Sequence, residues 1–190
     1  MSAYRKHPAA WTRIDGAEGL GVGALIAETD GYRLEASETV ADPRDRFACR
    51  FTVRTDLAWT TRCTRVETVS ERGVHTLELA AAGGKWTMDG KRVHDLDGCV
   101  DVDVAATPLT NTLPIRRLGL RPGEFRDIAV AWIDVPSLRV SRVVQRYTRL
   151  SSAEGRERYE YRDPTYGAFE LTVDREGVVV DYEGLARRVR

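Results

Sequence analysis

Alternation with a period of two runs through almost the whole chain, and it constrains the fold more than any motif does. Leu20, Val22, Ala24 and Ile26 alternate with smaller or polar residues. Tyr32, Leu34 and Ala36 alternate with Arg33, Glu35 and Ser37. Phe47, Cys49, Phe51 and Val53 alternate with Ala48, Arg50, Thr52 and Arg54. Successive side chains of a strand point to opposite faces, so each such run sets one face against a core and turns the other outward. The pattern returns in "LAWTTRCTRVETVS", "VHTLELAA", "CVDVDV", "DIAVAWIDV", "LRVSRVVQRYTRL", "RERYEYR", "AFELTV" and "VVVDYEG".

Hairpin chemistry separates the runs. Asp89-Gly90 in "WTMDGKRV" predicts a type I′ turn, and "TDGY", "SERGVH", "DPTYG" and "DREGVVV" are turn-like as well. Many short strands at close spacing predict a mainly β protein: an antiparallel β-roll or half-open barrel. Residues 128–135 are apolar nearly throughout, where periodicity cannot separate strand from helix. Their β-branched content and the following Pro136 favour a buried strand. One or two short helices are expected, at residues 114–118 and in the tail at 185–189. The exception to the pattern is residues 107–123, a long irregular connection holding Pro108, Pro114 and Pro122. Such connections are commonly functional. Leu109, Leu113, Ile115, Leu118 and Leu120 within it predict docking on the body.

With 190 residues and no linker, the chain reads as a single domain over 1–190, long enough to bury a core without staples. Lys+Arg and Asp+Glu balance at 29 each, which argues against a nucleic-acid partner. The amino-terminal "MSAYRKHPAAWTRIDG" has no apolar run for a secretory signal, and no segment is long and apolar enough to form a transmembrane helix. Cys49, Cys63 and Cys99 are far apart, odd in number and form no C-x-x-C. A reduced, cytoplasmic protein with buried thiols is expected.

Asp101 and Asp103 share one strand face opposite Val100, Val102 and Val104. They read either as the wet face of a half-buried strand or as a carboxylate pair able to hold a cation or to serve as acid and base. The D-x-D spacing lacks the α/β context of a glycosyltransferase, and Asp95-x-Asp97-Gly98 lacks the other ligands of a calcium loop. His7, His75 and His94 have no metal-like spacing. The cysteines read as core residues, no G-x-S-x-G marks a hydrolase, and "GLGVG" lacks the third glycine and the helix of a dinucleotide loop. No cofactor or metal is therefore expected. Trp59, Trp86 and Trp132, all placed in strands, are candidates to touch a ligand or to fill the core. Thr110 and Asn111 suit sugar hydroxyls. Arg116 and Arg117 suit an anion or a partner among the aspartates.

"DGCVDVDVAATPLTNTLPIRRLGL", with "GKWTMDG" upstream and "YTRLSSAEGRERYEYRDPTYGAFELTVDREGVVVDYEGLARRV" downstream, resembles the bacterial "putative glycolipid-binding" family, a domain of unknown function. Its most specific part is "TPLTNTLPIRR". The resemblance implies a spiral β-roll, similar to the curled sheets of bacterial lipoprotein carriers. It carries no catalytic residues. The reading that follows is a non-enzymatic binder of an amphipathic ligand, a glycolipid. Asp101, Asp103, Thr110, Asn111, Arg116 and Arg117 would serve the head group, and Trp59, Trp86 and Trp132 the acyl part. The alternatives are a hydrolase or transferase on a sugar or lipid using Asp101 and Asp103, and a ligand-free interaction domain whose wet edge strand pairs into a homodimer.

Overall fold

The computed structural model describes residues 6–43, 45–105 and 107–189, so the first five residues of the amino-terminal stretch lie outside the described residues. The strands are β1 (Lys6–Arg13), β2 (Glu18–Ala27), β3 (Tyr32–Ala41), β4 (Arg46–Thr55), β5 (Thr61–Ser70), β6 (Gly73–Ala82), β7 (Lys85–Met88), β8 (Lys91–Val93), β9 (Asp101–Val104), β10 (Phe125–Ile133), β11 (Val140–Arg149), β12 (Glu157–Asp163), β13 (Gly167–Val173), β14 (Val179–Tyr182) and β15 (Ala186–Arg188). All belong to one 15-stranded sheet in the order β8-β7-β6-β5-β4-β3-β2-β1-β15-β14-β13-β12-β11-β10-β9. Neighbours are antiparallel except β9 and β10, which are parallel. Antiparallel pairs join strands adjacent in sequence, apart from β1 with β15, and the one parallel pair needs the long connection that the sequence provides between residues 104 and 125.

The sheet curls but does not close, because β8 and β9 remain its two ends. The residues leading into β9 reach back to β5 and β7. Thr61 N donates to Val100 O at 3.1 Å, and Trp86 Nε1 donates to Cys99 O at 3.0 Å. Asp89 (φ 48°) and Gly90 (φ 78°) form the left-handed pair that the predicted type I′ turn requires.

The long connection folds inward. A 3-10 turn (Leu109–Asn111) leads into α1 (Thr112–Leu118). Pro114 sits in the first turn of α1, where an amide proton would have no intrahelical partner. Gly119 (φ 54°) ends the helix in the left-handed conformation. Leu109 and Leu113 are fully buried against Trp11, Leu34, Phe51, Val102 and Val104. Each contributes about 1.5–3 kcal/mol of burial. Ile115 packs into a second cluster with Tyr147, Tyr159, Tyr161, Leu171 and Tyr182. The segment thus plugs the roll between two cores.

Residues 128–135 are strand through Ile133, and α1 begins two residues before the expected 114. Three expectations need correction. The tail is strand β15 and not a helix: Ala186 is buried, Arg187 is exposed, and Trp11 lies in register with Arg188. Trp59 is not in a strand. It lies in the β4–β5 turn with φ 66°, where Asp56 Oδ1 accepts from the backbone N–H of Ala58 and of Thr60, each at 2.9 Å. The Asp101/Asp103 face is not an open wet face: Asp101 is buried under Arg117 of α1, and Asp103 is half-buried and held by Gln145 of β11.

Candidate functional site

A cleft of about 360 Å³ opens where the end of β9 meets β10, the tyrosine-bearing strands and the β1–β2 turn. Its size falls within the range of small-molecule sites, roughly 300–1,000 Å³. Three carboxylates line it from three places: Asp103 on β9, Asp134 just after β10, and Asp15 in the β1–β2 turn. Five aromatic rings join them: Trp132, Tyr161, Tyr166, Phe169 and Tyr182. Among the described residues the lining holds no Lys, Arg or His.

Register explains the aromatic wall. Tyr161 on β12 stands opposite Phe169 on β13 and Tyr147 on β11, and Leu171 pairs with Tyr182 on β14. Ring centroids of Tyr161 lie 6.4 Å from Phe169 and 6.1 Å from Tyr182, and Phe169 lies 5.8 Å from Tyr182. Trp132 and Tyr166 form a second pair at 6.3 Å. Tyr166 is 60% exposed at the mouth.

Asp103 is held by two neutral donors. Thr110 Oγ1 donates to its Oδ1 at 3.1 Å, and Gln145 Nε2 donates to its Oδ2 at 2.6 Å. The same Nε2 donates to Tyr161 Oη at 2.9 Å, so this phenol accepts there and retains its own proton to give. Burial raises the Asp103 carboxyl above the ordinary range, against the pull of Gln145 and Thr110 and with a push from Asp163 and Asp101. The Tyr161 and Tyr182 hydroxyls are raised too, chiefly by burial and then by Asp103, and stay protonated. Asp134 accepts from Ser137 Oγ and faces Arg139 Nη2 at 3.7 Å; Asp15 pairs with Arg13.

Of the residues singled out from sequence, Asp103, Asn111 and Trp132 line the cleft, and Thr110 reaches it through Asp103. Asn111 Oδ1 accepts from Tyr147 Oη at 2.7 Å. The others lie elsewhere. Asp101 is 0% exposed and clamped by Arg117, Nη2 to Oδ2 at 2.6 Å. The Arg116 guanidinium lies over the Trp59 ring, 5.4 Å from its centroid, and that ring stacks on Tyr32 at 3.8 Å. Trp86 is fully buried. Asp101 and Asp103 therefore do not face one ligand together. Sequence reasoning missed Asp15, Asp134 and Tyr166, which sit in or beside turns and carry no periodic signal. Tyr161 and Tyr182 lie in alternating strands whose pattern gives them no more weight than any other core aromatic. Among the described residues no group of three His, Cys, Asp or Glu side chains stands ready to hold a metal ion.

No curated protein matches the chain. Among solved structures it is similar to a DUF1089 family protein from Pseudomonas aeruginosa, with 35% identity, 89% of this chain and 92% of that chain covered, and a TM-score of 0.78. A β-barrel-like protein of the domain of unknown function DUF1849 from Brucella abortus shares the fold at 12% identity, with 98% and 96% covered and a TM-score of 0.57. The family model described as "Putative glycolipid-binding" matches residues 8–188. Because that match spans nearly the whole curled sheet and its plug, the chain belongs to the "putative glycolipid-binding" family.

Proposed function

We propose that the cleft binds the sugar head group of an amphipathic lipid and performs no chemistry on it. One observation carries the reading: carboxylates and aromatic rings converge on a single cleft within a chain of the glycolipid-binding family. Carboxylates accept hydrogen bonds from sugar hydroxyls, and ring faces stack on the apolar face of a pyranose. The acyl part stays at the mouth. Trp11, Trp86, Phe51 and Leu34 fill the interior of the roll, whereas Tyr166 and Ile14 expose apolar surface beside the opening. Ile14 N donates to the backbone oxygen of Leu185, itself a lining residue. Free thiols at Cys49, Cys63 and Cys99 support a reducing, cytoplasmic setting. No helix of the described residues is long and apolar enough to cross a membrane.

Native mass spectrometry and tryptophan fluorescence against a panel of bacterial glycolipids test the proposal. A 1:1 complex is expected, with an emission change that disappears in Trp132→Phe. Trp132→Ala should weaken binding by about 1 kcal/mol, roughly fivefold, the worth of one aromatic contact. A panel without a single binder refutes the reading.

A further inference from the structure

The cleft is one-sided in charge. It offers carboxylates at Asp15, Asp103 and Asp134 and, among the described residues, no cationic side chain. Asp15 and Asp134 have arginine neighbours outside the lining. Asp103 is different, since its described hydrogen-bond partners are the neutral Gln145 and Thr110. Asp103 nevertheless lines the cleft, where among the described residues no cationic side chain stands.

One acceptor behind the wall is left without a donor. Gln145 is 1% exposed, and its Nε2 is spent on Asp103 and Tyr161, both lining residues. Its Oε1, on the same planar amide, is buried with no donor. A buried acceptor left unpaired costs about 1–3 kcal/mol. Aromatic rings complete the lining in two groups, Trp132 with Tyr166 and Tyr161 with Phe169 and Tyr182. Ring faces attract cations, and quaternary or primary ammonium groups are held in such cages.

Building on the head-group reading above, we infer that the cleft selects a head group bearing an ammonium group, such as an amino sugar, over a neutral or acylated one. The ammonium sits against Asp103, supplies the counter-charge that the protein omits, and donates to the acceptors of the wall. An anionic head group meets three carboxylates and is rejected.

Three dodecyl glycosides that share one tail test this: the glucoside, the 2-amino-2-deoxyglucoside and its N-acetyl derivative. Their affinities are measured by calorimetry at low ionic strength and neutral pH. The amine is expected to bind at least about tenfold tighter than either of the others, with the advantage shrinking as salt rises. Asp103→Asn, nearly isosteric, should reduce the preference for the amine to about twofold or less. If that variant fails to fold by circular dichroism, Asp134→Asn, whose carboxylate is more accessible, should still lower the preference. Equal or tighter binding of the glucoside or N-acetyl compound overturns this inference and leaves the head-group reading standing. An amine preference untouched by the foldable variants overturns it as well. Failure of all three to bind overturns the head-group reading itself.

Discussion

Arg117 holds Asp101 with two nitrogens, Nη2 at 2.6 Å from Oδ2 and Nε at 3.1 and 3.2 Å from the two carboxylate oxygens. The carboxylate has no exposure, and the guanidinium keeps a little. The pair pins α1 to β9, so it ties the plug to the end strand of the sheet. Burial pushes the Asp101 carboxyl up, while Arg117 pulls it down.

Removing one partner should therefore cost more than removing both. Arg117→Ala leaves a buried carboxylate without its cation and is expected to destabilise the fold by about 3–5 kcal/mol. Arg117→Met with Asp101→Leu replaces the pair by apolar atoms and should recover most of that loss. Urea midpoints of the two single variants and the double variant check this. A double variant as unstable as Arg117→Ala contradicts it.

Glu38 predicts how stability depends on pH. It is 4% exposed on the core face of β3, with Oε1 unpaired, and burial pushes its carboxyl from 4.5 up to about 7 against the pull of Thr107 and Arg13. The folded state therefore binds this proton more tightly than the unfolded chain does. Its contribution is fully present below pH 4.5 and is lost as pH rises through about 7. The whole step amounts to about 3 kcal/mol. Glu38→Gln removes the titration. Between pH of about 5 and about 8, the wild type should lose about 2–3 kcal/mol more than the variant. Parallel curves for the two proteins in urea titrations would show that Glu38 does not carry the proton.

Gly21 and Glu38 are neighbours across β2 and β3, in register with each other. A methyl group at Gly21 would overlap the Glu38 carboxyl. Gly21→Ala should cost about 1–3 kcal/mol, because a buried side chain must leave its place. In a Glu38→Ala background the obstacle is gone, and the same change should be close to neutral. A double-mutant cycle measures this coupling, expected at about 1 kcal/mol or more. Additive effects would mean that the carboxyl moves aside freely.

The alternation made the strands legible because the two faces of a strand in a single curled layer differ in solvent contact. Val102 and Val104 read correctly for that reason. Asp101 and Asp103 did not, because the last strand of the roll is covered on its second face by a plug that no periodicity announces. Tail residues 185–189 contain Leu, Ala and Arg, all good helix formers, yet pairing with β1 and β14 overrides propensity. The cleft was half legible. Trp132 and Asp103 lie in strands whose pattern set them apart, whereas Asp15 and Asp134 are 119 positions apart and meet only because the sheet order brings β1 to β15 and so to the tyrosine wall.

Tyr147 and Asn111 provide a last measure of how the plug supports the cleft. Tyr147 Oη donates to Asn111 Oδ1 at 2.7 Å, and Asn111 Nδ2 donates to Pro108 O at 3.2 Å. The asparagine is 5% exposed and lines the cleft, so one side chain joins β11, the 3-10 turn and the ligand-facing wall. Tyr147→Phe keeps the ring and its 5.3 Å contact with Tyr161 but leaves Oδ1 without its donor. A loss of about 1–3 kcal/mol is expected in urea unfolding, from the unpaired acceptor rather than from packing. Asn111→Leu combined with Tyr147→Phe removes both polar groups and should cost less in stability than the sum of the single changes. It should still weaken glycoside binding, because the wall loses a polar group that faces the cleft. Unchanged affinity in that double variant would place Asn111 outside the ligand contact and confine it to holding the plug.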